Sequence, residues 1–290
     1  MKRTIHKKDP AVWITNAIRN FIDESPDNTL KNAQNDKAWA DPLIGFSRGD
    51  DPIYETYKDV VGPFHWTPKE IFKKTFHGSS VTADQLTVIS WILPHVEITK
   101  SDNGKESAYP AERWVRARMF GGEGNEILLK HVVALLQEAG YDAVAPVLSP
   151  HFERKKSERY VFASTWSERH AAHAAGLGTF GLCDGLITPK GKAMRCGSVV
   201  AHIQIPATNR PYQDHRAYCL FYAKGTCKKC ISRCPAGALT EAGHDKTKCN
   251  HYMHPHIDEY ILSHFGFKGY GCGLCQTAVP CESRNPLQGT

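Results

Sequence analysis

Eight of the ten cysteines fall in the last quarter of the 290-residue chain, and their spacing limits what that quarter can become. The first array is Cys219, Cys227, Cys230 and Cys234; the second is Cys249, Cys272, Cys275 and Cys281. The first closes as Cys227-Lys-Lys-Cys230-Ile-Ser-Arg-Cys234-Pro235. Thiols two or three residues apart can wrap one centre corner by corner. A Cys-Pro ending such a run belongs to the bacterial ferredoxin pattern, in which that last cysteine ligates the other cluster. Eight thiolates match two [4Fe-4S] clusters. Lys224 stands where the run usually begins, and Cys219, five residues upstream, is the replacement. Crossed ligation then assigns Cys219, Cys227, Cys230 and Cys281 to one cluster and Cys234, Cys249, Cys272 and Cys275 to the other. Pairing of Cys227-x2-Cys230 with Cys272-x2-Cys275 around structural zinc is the alternative, and it leaves four cysteines without a role. Cys183 and Cys196 lie outside both arrays and read as ordinary buried thiols.

Thiol ligation on this scale goes with a reducing compartment. The start, Met1-Lys-Arg-Thr-Ile-His-Lys-Lys, lacks the apolar core of a secretory signal. No run approaches the roughly 20 apolar residues of a membrane span. The expectation is a soluble, cytoplasmic protein with no membrane contact. A net charge of +6 would suggest an anionic partner. Two four-thiolate clusters, each carrying about two negative charges, largely cancel it, which weakens a nucleic-acid reading based on charge.

Ahead of the arrays, Asp9-Pro10 reads as a cap with proline at the first helical position, and Trp13, Ala17, Ile18 and Phe21 follow at helical spacing. A helix is expected over 10–24. Residues 25–65, rich in Asp, Pro and Gly, read as irregular. Thr67-Pro-Lys-Glu70 opens a second helix. Val88–Leu93, stopped by Pro94, has strand length, 125–139 reads as helix, 142–148 as strand, 159–163 as a further strand and 166–175 as helix. Leu186–Thr188 and 198–204 read as two strands joined through Pro189-Lys190-Gly191. The mixture without strict alternation favours an α+β domain over 1–210, with the cysteine module as 211–290.

Gly176-Leu-Gly178-Thr-Phe-Gly181 matches the dinucleotide fingerprint, but a helix precedes it and a strand follows, the reverse of a nucleotide-binding βα turn. A helix end and a turn of close backbone approach fit better. His173-Ala-Ala-Gly-Leu-Gly-Thr-Phe-Gly181, Leu186-Ile-Thr-Pro and Gly197-Ser198, followed by the paired arrays, resemble epoxyqueuosine reductases and, more distantly, reductive dehalogenases. The resemblance runs over roughly 160–281.

It implies a nitroreductase-like α/β sheet domain that binds cobalamin, followed by a ferredoxin-like domain that reduces it. Gly176, Gly178, Thr179, Gly181, Asp184, Thr188, Gly197 and Ser198 would then line the corrin. The family's acidic residue, 14 positions before the first glycine, is replaced here by Phe162. The chain also stops nine residues after Cys281, without the helical repeats common in those tRNA-modifying enzymes. The expected substrate is therefore a small organic or nucleoside-type molecule in preference to tRNA, with ferredoxin or flavodoxin as external electron donor. An electron carrier or maturation partner without corrin, and a flavin-dependent reductase, are the other readings.

Reduction needs a proton donor. Glu168, His170 and His173 lie on the helix leading into the glycine loop, and Tyr160 lies just before it; Glu168, His170 and Tyr160 are the catalytic candidates. The plain alternatives are satisfied histidines and a capping Glu168-Arg169 pair. His251, His254 and His256 read as loop packing. Arg154-Lys155-Lys156 reads as a solvated face or a docking surface for an acidic redox partner.

Overall fold

The structure is a computed structural model that describes residues 9–158 and 161–288. Helix α1 (Pro10–Glu24) starts where Asp9 accepts a hydrogen bond from the Val12 N–H at 3.0 Å. Its buried stripe is Ile14, Ile18 and Ile22; of the expected Trp13, Ala17, Ile18 and Phe21, Ile18 is in that stripe and the other three are half-buried beside it. The segment read as irregular instead holds strand β1 (Leu43–Arg48) and helix α2 (Ile53–Val61). Helix α3 (Pro68–Thr75) carries the reciprocal Thr67–Glu70 capping box that its sequence announces.

Strand β2 (Thr87–Pro94) is buried along its whole length, as a central strand must be. After it come α4 (Glu97–Lys105), the long α5 (Glu112–Glu138) and β3 (Ala143–Val144). Helix α5 begins well before the expected residue 125 and runs straight through three glycines. Two of them are notches: a Cβ on Gly121 would sit 2.8 Å from the Trp39 ring, and one on Gly124 would strike the Asp27 carbonyl. The local cost of glycine in a helix, about 1 kcal/mol, is outweighed by the packing it permits.

A short ribbon pairs β4 (Arg154–Lys155) with β5 (Ala163–Ser164); of the further strand expected over 159–163, Arg159 and Tyr160 lie outside the described residues. Helix α6 (Glu168–Ala174) follows, capped by Ser167. The two strands expected beyond it do not pair with each other. β6 (Thr179–Phe180) takes β7 (Leu186–Ile187) as partner, while β8 (Met194–Ala201) joins the main sheet.

That sheet has the order β1-β2-β8-β3 and is antiparallel throughout, with Thr87 opposite Ala201 and Pro94 opposite Met194. Alternate residues feed two cores. Ile89, Trp91, Leu93 and Val199 meet α1 and α5 on one face. Val88 and Val200 meet Tyr54, Ile71, Phe72, Trp166 and Ala171 from α2, α3 and α6 on the other. Truncating a buried Ile or Leu in either layer to Ala costs about 2–5 kcal/mol.

The cysteine-bearing segment is built from short pieces: α7 (Leu220–Lys224), α8 (Lys229–Ser232), the β9 (Leu239–Thr240) and β10 (Gly243–His244) ribbon, α9 (Lys246–His251) and α10 (Asp258–Phe265). It is stitched to the sheet layers. Arg233 donates to the carbonyls of Asn103 at 3.2 Å and Glu106 at 2.7 Å, and the Lys192 N–H donates to the Cys281 carbonyl at 2.9 Å. No helix among the described residues is long and apolar enough to cross a membrane.

Candidate functional site

The eight array cysteines, all free thiols, gather around two separate spaces. Cys219, at the start of α7, meets Cys227, Cys230 of α8 and Cys281 around a small apolar void closed by Leu182, Ile187 and Val279. Cys234, Cys249 of α9, Cys272 and Cys275 lie on the wall of a second, larger cavity of about 910 Å³. The grouping is the crossed one, two sequence arrays exchanging one member each. Among the described residues, no three or more Cys, His, Asp or Glu side chains close upon a single ion. His251, His254 and His256 border neither space. His254 instead shares a hydrogen bond with Asp258 at 2.5 Å.

Cys183 is buried as expected but is not ordinary. Its sulfur touches Cys230 of the first set and Cys275 of the second, and accepts from Lys192 Nζ at 3.2 Å. Lys192 is 2% exposed and borders both spaces. Burial opposes its charge, but the sulfurs of Cys183, Cys281, Cys275 and Cys230 outweigh that and hold the amine protonated. An ammonium thus stands between the two thiol sets. In the sequence it is one more lysine in a polar turn, Pro189-Lys-Gly-Lys192, and nothing there marks it.

Glu168 opens α6 on the wall of the large cavity. Its Oε2 accepts from Ser198 Oγ, which in turn accepts from Trp166 Nε1 at 3.0 Å. Its Oε1 is out of contact with solvent and has no partner. Burial pushes the carboxyl up to about 8, against the opposing bonds from Ser198 and Trp166. At neutral pH it is mostly a neutral acid. A carboxylic acid facing a cavity can donate a proton, which makes Glu168 the catalytic candidate with the fitting geometry.

The other two candidates fare differently. His170 is turned from the cavity: Nδ1 pairs with Ser167 Oγ at 2.8 Å and the ring packs on Tyr57, at 4.7 Å between centroids, and on Phe180. His173 likewise joins Tyr57 Oη through Nδ1 at 2.8 Å. His173 is buried in the core and His170 is half-buried beside it. Tyr160 lies outside the described residues.

The glycine loop also corrects its expected role. Gly176 has φ +76°, and a Cβ there would stand 2.5 Å from the Asn209 carbonyl; one on Gly178 would strike the Ile187 carbonyl. These glycines admit the chain's own backbone, not a ligand. Thr179 Oγ1 accepts from the Tyr218 N–H at 2.8 Å, and Thr188 Oγ1 donates to the Gly191 carbonyl at 2.7 Å. Gly197 backs onto the Trp91 ring, Ser198 reaches Glu168, and Asp184 pairs with His244 at 3.2 Å. Gly181 borders the small void. Of these eight residues none borders the large cavity; their neighbours Cys183, Gly185, Leu186, Met194, Arg195 and Cys196 do. The right segments are at the cavity, with residues adjacent to the expected ones bordering it.

The curated homologues of this chain are epoxyqueuosine reductases, a class of oxidoreductase. It is 36% identical over 132 residues to the enzyme of Gloeobacter violaceus, which covers 43% of this chain and 39% of that protein. It is 32% identical over 119 residues to that of Bacillus anthracis, covering 39% of this chain and 29% of the relative. The chain thus matches well under half of the length of these relatives. No family model matches it. Among solved structures, a catabolic reductive dehalogenase superposes with a TM-score of 0.50 at 14% identity, over 85% of this chain and 30% of the other, a likeness of fold. An epoxyqueuosine reductase crystal structure aligns at 0.43 and 16% identity, over 83% of this chain and 61% of that one. Another epoxyqueuosine reductase neighbour, with a TM-score of 0.42 at 16% identity, was solved with a tRNA stem loop.

Proposed function

We propose that the chain is an oxidoreductase in which two [4Fe-4S] clusters pass electrons to a cofactor in the 910 Å³ cavity, where an organic or nucleoside-type substrate, free or within a tRNA, is reduced. The observation that carries this reading is the placement of Cys234, Cys249, Cys272 and Cys275 on the same cavity wall system as Glu168. Electrons and a proton then have separate sources facing one chamber. In this reading residues 1–210 form a nitroreductase-like cofactor domain and 211–290 its ferredoxin-like reducing arm.

Cobalamin is the cofactor proposed. The cavity is at the upper end of the usual range for ligand sites, about 300–1,000 Å³. Gly122, Gly185 and Gly271 leave bare backbone along its walls, which suits a broad, flat ligand, whereas Gly273 is bare because a Cβ there would strike the Trp114 ring. When bound, the corrin would supply cobalt-centred reducing chemistry. The chain's own contributions are a proton held at Glu168, bare walls that orient the ring, and Lys192, whose charge offsets that of both thiolate sets. The set around Cys219 and Cys227 lies off the cavity and would accept electrons from a ferredoxin or flavodoxin.

Anaerobic purification followed by metal and sulfide analysis is expected to give about 8 iron and 8 sulfide per chain. Added hydroxocobalamin is expected to remain bound through gel filtration, with a shifted visible spectrum. Full clusters with no retained corrin would leave an electron carrier or maturation partner, and a yellow cofactor released on denaturation would replace cobalamin by flavin. One zinc without sulfide would overturn the reading altogether.

Glu168 makes its own prediction. An infrared pH titration is expected to show a protonated-carboxyl band that bleaches with a midpoint of about 8. The band should be missing in Glu168→Gln. Its persistence in that variant would remove Glu168 as the stored proton.

A further inference from the structure

We propose that the large cavity contains a subsite for an oxyanion, a phosphate or a carboxylate, formed by Arg118, Arg154 and Arg195. The inference rests on the reading of this cavity as the ligand chamber, and names the charge of what binds there.

All three arginines line the cavity. Arg118, on α5, lies over the Tyr270 ring, 4.5 Å from its centroid, and donates to the Tyr270 hydroxyl at 2.5 Å. That contact fixes the guanidinium plane and leaves most of its five donors free. Arg195 leaves β8 toward the same helix: a Cβ on Gly122, one turn after Arg118, would stand 3.5 Å from Arg195 Nη2. Arg154 comes from the β4 ribbon, and its charge acts directly on Arg118. Burial holds Arg118 below the usual guanidinium value; Tyr270 opposes it, and the neighbouring Arg154 adds to it more weakly.

Pairing and position together separate these three from their fellows. Arg19, Arg48, Arg113, Arg116 and Arg210 each sit within 4.0 Å of a carboxylate. Among the described residues, Arg118, Arg154 and Arg195 have no such partner. Arg216, over the Tyr222 ring, and Arg233, bonded to backbone carbonyls, also lack a carboxylate, but neither faces the cavity as these three do. The cavity's own acids do not serve them: Glu123 is engaged by Lys31 at 2.6 Å, Glu168 is mostly neutral, and Glu126 stands at the exposed face of α5. Arg169, which also lines the cavity, donates instead to the Asp184 carbonyl. Arg118 and Arg195 are partly buried and Arg154 is exposed beside them, and like charges gathered in this way disfavour the free protein. A ligand bearing an oxyanion would relieve that repulsion, and the planar fork of each guanidinium matches its two oxygens.

Two sources share this chemistry: an anionic group of the substrate and the phosphodiester in the nucleotide loop of cobalamin. The test uses the anaerobically purified, cluster-containing chain and the variants Arg118→Met, Arg195→Met and their double, each first shown to keep its iron content and circular dichroism. Inorganic phosphate binding is measured by calorimetry, and corrin binding with hydroxocobalamin and with dicyanocobinamide, which lacks the phosphodiester. The wild type is expected to bind phosphate, with about a tenfold loss for each guanidinium removed. If the oxyanion belongs to the cofactor, the double variant loses hydroxocobalamin affinity and keeps that for cobinamide. If it belongs to the substrate, both corrins bind as before and phosphate alone is lost. Phosphate and hydroxocobalamin binding both indifferent to the double variant would overturn the subsite. Phosphate binding that depends on the arginines in a chain that takes up no corrin would sink the cobalamin reading and leave the subsite standing.

Discussion

Lowering the pH from 7 to 5 is expected to cost the folded protein several kcal/mol. His65, His95 and His173 are 2%, 5% and 5% exposed. Both ring nitrogens of His65, Nδ1 of His95 and Nε2 of His173 are buried without a hydrogen-bond partner. Burial holds the three at about 4, 3 and 4, and holds His170 low as well. In the unfolded chain each titrates near 6.5. Below that pH the unfolded state takes up protons that the folded state refuses, so stability present above 6.5 is lost as the pH falls toward the folded values. Each histidine contributes about 1.4 kcal/mol per pH unit, or roughly 6 kcal/mol for the three at pH 5.

Glu168 works in the opposite sense. Its folded value of about 8 lies above its unfolded one, so its contribution grows as the pH falls, returning roughly 2–3 kcal/mol over the same interval. The net loss of about 3–4 kcal/mol is a large share of a typical stability of 5–15 kcal/mol. Urea midpoints at pH 7 and pH 5 measure it. His65→Phe, which removes one of the groups without emptying its place between Tyr57 and Trp166, is expected to recover about 2 kcal/mol at pH 5. Midpoints that do not move with pH, or that His65→Phe leaves unchanged, would refute this account.

The second large effect is electrical. Lys192→Met is expected to lower the midpoint potentials of both proposed clusters by on the order of 100 mV, from a unit charge about 6 Å away in a medium of effective dielectric constant about 20. Both should respond, because Lys192 borders both thiol sets. Lys192→Arg, which keeps the charge, should shift them far less. Redox titration followed by electron paramagnetic resonance, on protein with full iron content, reads the result. A Met variant with intact clusters and unshifted potentials would remove Lys192 from this role.

Much of this was legible in the chain, and physical reasons separate what was from what was not. Asp9-Pro10, the Thr67–Glu70 box and the apolar run 88–93 are local signals, and each produced its element. The cysteines border the two spaces in the grouping that the crossed ligation of the Cys-Pro ferredoxin pattern led one to expect. Strand β1 was hidden because it carries Gly45 and Ser47, residues its tertiary neighbours want and its propensity does not. Helix α5 was cut short for the same reason, since Gly121 and Gly124 serve Trp39 and Asp27 and not the helix itself. The partners of β7 and β8 are set by long-range pairing, which no short window contains. The roles of Lys192, Glu168 and the three arginines depend on what surrounds them in space. The glycine loop misled because bare backbone serves a neighbouring chain as well as a flat ligand.

The backbone bonds from Lys192 and Ala193 to Cys281 and Glu282 also order events in time. Cys281 is the fourth member of the first thiol set, and the edge that holds its carbonyl belongs to the chain that leads into β8. Without β8 in its place in the sheet, that set would lack this backbone anchor for Cys281. Uptake of the proposed cluster at the first set would therefore depend on a region about 80 residues earlier in the sequence. A ribosome-bound or truncated chain with a disordered sheet would be spared a half-built, oxidisable centre.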